Sequence, residues 1–523
     1  MKRYNIFNLL PVFMLLLLPA CSDAFLEVEP AGRLSSDVYP MTDNEAFSTV
    51  IGAYNLMQWN YGRDWNSAWF AKNLPGDDCN AGSSASDQPP YQNLDDFKNE
   101  ADNTVVTAIW EGFYKTINQC NTVIARVEPT NAFREQIVAE AKAIRAWNYF
   151  ELVVLFGDVP FFTENPTSVA EYHKPRTPKA TIYAQLETDL LEAIADLPLK
   201  SALSAEHKFR VSKGTAQSIL GKIYLYQQKW GQAHAVLSQV IGTQGTQYGL
   251  EANFGNVWRR AGALGVESVF EVLYTDQEGY DWNNFGWGGA HESNIHVQLM
   301  GPRAPFFSNL AAIGIIPGWG FNLPTKAIGD AFNEMGDNGA RYRATIMSEA
   351  EFIAAGGAIV ADEDDDGNPV PAHDYEGYLR IKYATHASET NTSEGVIPEL
   401  NYAINWRLIR YADVLLMAAE AYNEDNKPEL GVVELNKVRA RAGLDLLPLA
   451  ISQTDLREAI IKERQLELAF EASRFWDLVR WGKANEVLSS LGFVANKHEL
   501  FPIPQTEILS NNAISQEDQN PGH

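Results

Sequence analysis

The 523-residue chain predicts a mainly α fold, in which antiparallel helical hairpins form a scaffold and a long irregular segment hangs on it. Three observations carry this reading. Apolar residues recur at three- and four-residue steps over long windows. Two stretches place small residues where paired helices must approach closely. Strand-like alternation is scarce.

The first element is a leader. Lys2 and Arg3 supply positive charge, Ile6 to Leu18 is mostly apolar yet too short to span a bilayer, and small residues follow. Leu18-Pro19-Ala20-Cys21 looks like a bacterial lipobox, in which the chain is cut before the cysteine and its thiol is acylated. Residues 1–20 are then a lipoprotein signal peptide, and 21–523 is the mature chain, tethered outside the bilayer. Each buried acyl methylene contributes about 0.8 kcal/mol to such an anchor. A plain secretory signal followed by a coincidental cysteine is the alternative.

Helices follow. Ile137, Ala141, Ile144, Trp147, Phe150 and Val154 line one face, and Gly157 and Pro160 end that helix. A second runs from Ile182 to Leu197 and is closed by Pro198. Leu220-Gly221, Tyr224, Trp230, Ala233 and Leu237 match the tetratricopeptide template, with Gly221 and Ala233 at the crossing and Tyr224 in the groove. A related pair spans Tyr411 to Ala440, with Ala419, Tyr422, Gly431 and Leu435 in equivalent places. Two hairpins are too few for a stacked array, so others belong in the N-terminal half, the Ile137 and Ile182 helices among them. The resulting division is 30–242 for N-terminal hairpins, 243–401 for a loop-rich ligand-binding insert, and 402–523 for the C-terminal hairpin and closing helices. The last helix is expected from Asp455, paired with Glu458 in a capping box, to Trp481, stopped by Gly482.

With 41 basic against 67 acidic residues, the formal charge of -26 excludes nucleic acid and anionic membrane surfaces as electrostatic partners. Beyond Cys21, only Cys79 and Cys120 remain, too few for a disulfide framework or a cysteine zinc site; they either pair or stay buried as thiols. His291-Glu292 and His296 resemble a zinc protease motif, but the histidines are five apart rather than four and diverge at about 100° per residue. No nucleophile elbow, phosphate loop or dinucleotide glycine fingerprint occurs. A glycosidase carboxylate pair cannot be read from spacing among 67 acids. Asp362, Asp364, Asp366 and Gly367 copy the first half of a calcium loop, but His373 takes the place of the bidentate glutamate. That run is either a solvated acidic turn or a distorted calcium site completed by Glu376.

Aromatic clusters are the features most suggestive of a ligand. Tyr54, Trp59, Tyr61, Trp65 and Trp69 crowd one stretch, where Tyr54, Trp59 and Trp69 are expected to pack in the core. Tyr280, Trp282, Phe285 and Trp287 are interleaved with Asn283, Asn284, Gly286, Gly288 and Gly289, a spacing no helix explains. Flat rigid rings stack on the C–H faces of sugars while amides bond the hydroxyls. The competing reading is that these rings plug a long loop onto the scaffold. Glu463, Arg464, Glu467, Arg474, Asp477 and Arg480 in the last helix are expected to be ion pairs that fix packing rather than catalysts.

Several blocks converge on one family. Ala139 to Ala146 with Tyr149-Phe150 and Leu155-Phe156-Gly157-Asp158-Val159-Pro160, then Arg410-Tyr411-Ala412-Asp413 to Ala421, then Glu463-Arg464 and Glu467 to Glu471 leading to Trp481-Gly482, closely resemble SusD/RagB outer-membrane lipoproteins of Bacteroidetes. Leu500-Phe501-Pro502-Ile503-Pro504, Gln519-Asn520-Pro521-Gly522 and the opening Cys21 with Phe25-Leu26 agree, so the match spans nearly the whole chain. The resemblance implies four tetratricopeptide-like hairpins carrying an irregular ligand-binding half. It implies a cell-surface protein that captures glycans without chemistry, needs no cofactor, and sits as a lid on a SusC-like TonB-dependent barrel transporter. Its ligand face corresponds to Asp77-Asp78 through Tyr91 and the loops around Trp282 and Trp319. Trp282 and Trp287 are the expected stacking platforms, with Tyr91 as a third and Trp319, in Gly318-Trp319-Gly320, as platform or scaffold; Asp78 and Asn284 are the expected hydroxyl partners. Peptide capture, as in the RagB-like branch, and a surface glycan hydrolase are the competing functions.

Overall fold

The computed structural model describes residues 42–63, 65–288, 291–363, 369–370 and 372–523. The leader, Cys21, Phe25-Leu26, Asp364 and Asp366 lie outside the described residues, and so does the side chain of Asp362.

Eight helices form an unbroken series in which each packs on the next: α1 (Asp43–Gly62), α2 (Thr104–Arg126), α3 (Ala132–Phe156), α4 (Lys179–Asp196), α5 (Lys213–Tyr226), α6 (Trp230–Ile241), α7 (Tyr411–Glu424) and α8 (Pro428–Ala442). They make four hairpins, with α1 and α2 supplying the pair the periodicity left unplaced. Local chemistry fixes their starts. Thr42 and Glu45 form a capping box on α1, Asn131 caps α3 by accepting from the Arg134 N–H, and Ser212 caps α5. Gly157 ends α3 with φ +75, a conformation glycine adopts without strain. The crossings need their small residues: a Cβ at Gly221 would meet Leu237 at 2.4 Å, and one at Gly431 would meet the Ala419 carbonyl at 2.7 Å.

Between α6 and α7 the chain runs through short elements, as the weak periodicity predicts. Its strands pair antiparallel with one another and with one strand from between α1 and α2: β1 (Cys79–Gly82), from the earlier segment, with β3 (Phe321–Pro324), β2 (Ser268–Val272) with β6 (Trp406–Arg410), and β4 (Ile346–Ser348) with β5 (Tyr378–Arg380). The β2–β6 ladder lies directly before α7 and ties the irregular half to the stack.

The closing helix differs from expectation. Instead of one helix from Asp455 to Trp481 there are two, α9 (Gln453–Glu467) and α10 (Arg474–Arg480), and α9 is capped by Ser452, which accepts from the Asp455 N–H. The interruption carries Phe470 at φ +63 and Ala472 at φ +58. It persists because the surroundings bind its backbone: Lys382 Nζ donates to the Ala469 carbonyl at 2.8 Å, and the Ala472 N–H donates to Asn73 Oδ1 at 2.8 Å.

The acidic and basic residues of this region are structural, as their helical spacing predicts. Arg410 reaches Glu267, Glu467 and Glu471 at 2.8, 2.5 and 2.7 Å; Arg341 reaches Asp337 and Glu463; Arg464 bridges Asp413 and Asp477 at 2.8 Å each. Arg480 pairs with Glu420 and Asp477, and Arg474 with Asp77. Burial alone would raise the carboxyl pKa of Glu467, but Arg441, Arg410 and Arg341 hold it well below the usual range. Cys79 and Cys120 are buried, unpaired thiols, and burial pushes Cys120 up to about 12.

Candidate functional site

The short β1–β3 ladder brings the first loop region beside the Gly318-Trp319-Gly320 turn. Gly82 and Gly320 both take positive φ, +71 and +75, and the Ser83 N–H donates to the Gly320 carbonyl at 2.6 Å. The Trp319 N–H donates to the Gln298 carbonyl at 3.0 Å, and a Cβ on Gly318 would sit 2.4 Å from Gly301 Cα, so the turn is rigid and close-packed. Trp65, just beyond α1, stacks on Trp319 at 5.5 Å and on Trp287 at 5.7 Å with only 6° between planes. Trp287 and Trp319 are 6.3 Å apart, which closes a three-tryptophan cluster, and Phe321 of β3 presents its edge to Trp65 at 6.2 Å.

The loop carrying Trp282 and Trp287 divides its rings between two jobs. Phe285 is buried with Ile295 and Leu400 and stacks on His291 at 3.8 Å; Tyr280 packs edge-on against Phe285 at 5.4 Å. These rings pin the loop to the scaffold. Asp281 accepts from the N–H groups of Asn283 at 2.7 Å and Asn284 at 3.0 Å, which hold its carboxyl below the usual range, while Asn284 Oδ1 accepts from the Asp281 N–H at 2.7 Å. Gly286 and Gly288, at φ +58 and +85, turn the chain, and Arg63 Nη2 donates to the Gly288 carbonyl at 2.8 Å. Held this way, Trp282 and Trp287 stand 51% and 45% exposed. Two large rings exposed on one loop mark a candidate binding surface.

The remaining expected site residues fall into two groups. Trp319 is half-buried in the cluster and Asn284 is exposed on the same loop as Trp282 and Trp287. Tyr91 and Asp78 are corrected. Tyr91 is 0% exposed; its ring packs on Phe70 at 4.6 Å and its hydroxyl donates to the Trp65 carbonyl, so it braces Trp65 from the core and offers no face to a ligand. Asp78 is 2% exposed where β1 begins, and burial together with the neighbouring Asp77 charge pushes its carboxyl up to about 7. Asp77, its neighbour, is bound bidentately by Arg474 at 2.6 and 2.8 Å, so this pair is a joint between β1 and α10. Sequence reasoning gave Trp65 and Arg63 no role; the signal was the tryptophan-rich stretch after α1, whose members differ only in which strand or loop they later meet.

Among the described residues, no group of three or more His, Cys, Asp or Glu could hold a metal ion. Glu376, a candidate to complete a calcium site, accepts instead from Asn80 Nδ2 at 3.0 Å and the Lys326 N–H at 2.5 Å. His291 and His296 are both buried, the second against Phe70 at 5.7 Å. No described helix is long and apolar enough to cross a membrane.

Residues 274–492 match the model of the SusD family, and residues 24–225 match a model described as starch-binding, associating with outer membrane. A SusD-like protein of Formosa agariphila is 26% identical over 99% of both chains. Among solved structures, a laminarin-binding SusD-like protein is 35% identical, superposes with a TM-score of 0.81, and covers 92% of this chain and 99% of its own. Surface glycan-binding protein A from Bacteroides thetaiotaomicron, in complex with laminarihexaose, is 25% identical with a TM-score of 0.76, covering 91% of this chain and 99% of its own. On sequence and on backbone alike, end to end, the chain belongs to the SusD/RagB family of Bacteroidetes.

Proposed function

We propose that this protein captures a neutral glycan at the cell surface, a laminarin-type glucan in the first instance, and passes it unaltered to a SusC-like TonB-dependent barrel. The observation that carries the reading is the pair of exposed rings, Trp282 and Trp287, on a loop anchored by buried Phe285 and half-buried Tyr280 and whose turns are pinned by Asp281 and Arg63. A preorganised ring loses little conformational entropy when a sugar face settles on it, so its burial appears as affinity. Trp65 and Trp319 back Trp287 and hold its plane. Asn283 and Asn284 put amides beside the rings, suited to hydroxyl recognition. Relatives whose names record laminarin and laminarihexaose binding support the same ligand class. Acylation at Cys21 anchors the chain at the outer membrane, which fits a family model described by that location.

Titration calorimetry of the mature chain against laminarin oligosaccharides, other neutral glucans and peptides tests this reading. Saccharide binding without product release is the expected result. Binding of peptides alone, or release of reducing ends from a polysaccharide, contradicts it. Metabolic fatty-acid labelling that is lost in Cys21→Ser tests the anchor.

A further inference from the structure

Arg63 links the tryptophan cluster to a second region. Its guanidinium lies over the Trp59 ring at 4.7 Å while donating to the Gly288 carbonyl, one residue beyond Trp287. Arg63 and Trp59 also line a narrow slot of about 80 Å³ along the start of α2, closed by Leu56, Glu111 and Lys115. Those same three residues line a much larger groove of about 880 Å³ between α2, residues 160–173 and the short helix Gln505–Ser510. The slot and the groove therefore share a wall, and Arg63 ties the slot to the Trp287 loop through the Gly288 carbonyl. The larger volume falls within the usual range for ligand clefts, about 300–1,000 Å³.

The lining of the groove is chemically selective. Tyr172, 55% exposed, shares it with Tyr114 and Phe162, which supply further apolar ring surface. Asn118 and Asn165 stand among them. Asn165 Nδ2 is held by the Asn118 carbonyl at 3.1 Å and Thr122 Oγ1 at 2.7 Å, yet its Oδ1 is buried with no protein donor; Trp59 Nε1, in the slot, is likewise buried with no protein acceptor. Both atoms are closed to solvent, so the polar group the groove offers a ligand hydroxyl is the exposed Asn118 side chain. Charge is balanced at the junction, where Lys115 pairs with Glu111 at 3.3 Å, so nothing there selects an ionic ligand.

We propose that the slot and the α2 groove extend the platform into one track for a neutral polysaccharide, so that the ligand is an extended chain rather than a short oligosaccharide. This rests on the platform being a glycan site. Rings spaced along a track grip successive sugars, and each adds affinity only for chains long enough to reach it.

Calorimetry with laminarihexaose and with full-length laminarin, on the parent protein and on Tyr172→Ala and Asn118→Ala, tests the track. Both side chains are exposed, so neither substitution is expected to disturb folding. A longer chain offers one site more registers, so length dependence alone decides nothing; the selective loss does. Each variant is expected to weaken laminarin about fivefold and to leave laminarihexaose unchanged. Equal losses for both lengths, or no loss for either in both variants, overturn the track and leave capture at the platform standing. Unchanged laminarin affinity together with lost association with the barrel assigns the groove to the protein partner and also overturns it. Failure of both saccharides to bind the parent protein overturns the track and the platform together.

Discussion

The centre around Arg410 and the cluster around Trp65 break the usual partition of residues in opposite directions. At the first, Arg410, Arg341, Glu467 and Glu471 are taken out of water. At the second, Trp287 is left in it, as is Trp282 on the same loop. The ionic centre closes on itself: each charge finds partners within the chain, which offsets desolvation and fixes how α7, α8, α9 and the irregular half meet. The tryptophan cluster stays open on one side. A departure from the partition that is satisfied internally stabilises architecture; one that is left unsatisfied awaits a ligand.

Removing one member of the ionic centre is the most direct way to break this contrast. Arg410→Ala removes the cation shared by Glu267, Glu467 and Glu471 and leaves those buried carboxylates to Arg441, Arg341 and Lys382 alone, at an expected cost of about 3–5 kcal/mol in denaturant unfolding. The saccharide affinity of the fraction that remains folded should not change. Comparable losses of affinity and stability would mean that the two regions are not separable.

A pH series separates two buried structural carboxyls that shift in opposite directions. Asp413, which burial alone would raise, is held down to about 2 by Lys222 and Arg464. Its contribution is present above the ordinary value of 3.8 and is lost as pH falls toward about 2. Asp78, raised to about 7, behaves in reverse: its neutral form suits the fold, and stability declines as pH climbs from about 4 to about 7. Asp78→Asn is therefore expected to stabilise by on the order of 2 kcal/mol at neutral pH and by nothing near pH 4, as read by thermal unfolding across that range. A gain that does not depend on pH would show that the Asp78 proton is not responsible.

The smallest expected effect lies at the junction of the two regions. Tyr91→Phe keeps the buried ring and removes the donor to the Trp65 carbonyl. About 1 kcal/mol of stability should be lost, with affinity falling a few-fold as Trp65 loosens beneath Trp287. Lost stability with unchanged affinity would place Tyr91 in the core alone.

The frame was largely legible in the sequence and the site only partly. The Ile137 face, the Gly221 and Gly431 crossings and the charge pattern from Glu463 to Arg480 obey local periodicity, which one chain segment displays by itself. The α1–α2 pair was visible only as a requirement, since two recognisable hairpins could not stand alone. The break between α9 and α10 was invisible because Phe470 and Ala472 carry no turn signature; Lys382 and Asn73, distant in sequence, impose it. Trp282 and Trp287 stood out because their spacing fits neither helix nor strand. Tyr91 and Asp78 mislead because their neighbourhood resembles a ligand face, whereas Tyr91 is buried against Phe70 and Phe321 and Asp78 at the start of β1. Exposure in a loop depends on partners hundreds of residues away, and no local pattern encodes it.

The measurement that tests the central claim most directly is paired calorimetry and thermal unfolding of the Trp282→Ala, Trp287→Ala double variant with laminarin oligosaccharides. A rigid frame presenting a separate aromatic platform predicts an affinity loss of about 2–4 kcal/mol, with the unfolding midpoint within a few degrees of the parent. Unchanged affinity would contradict the platform; a collapse in unfolding temperature would show that the two rings belong to the scaffold.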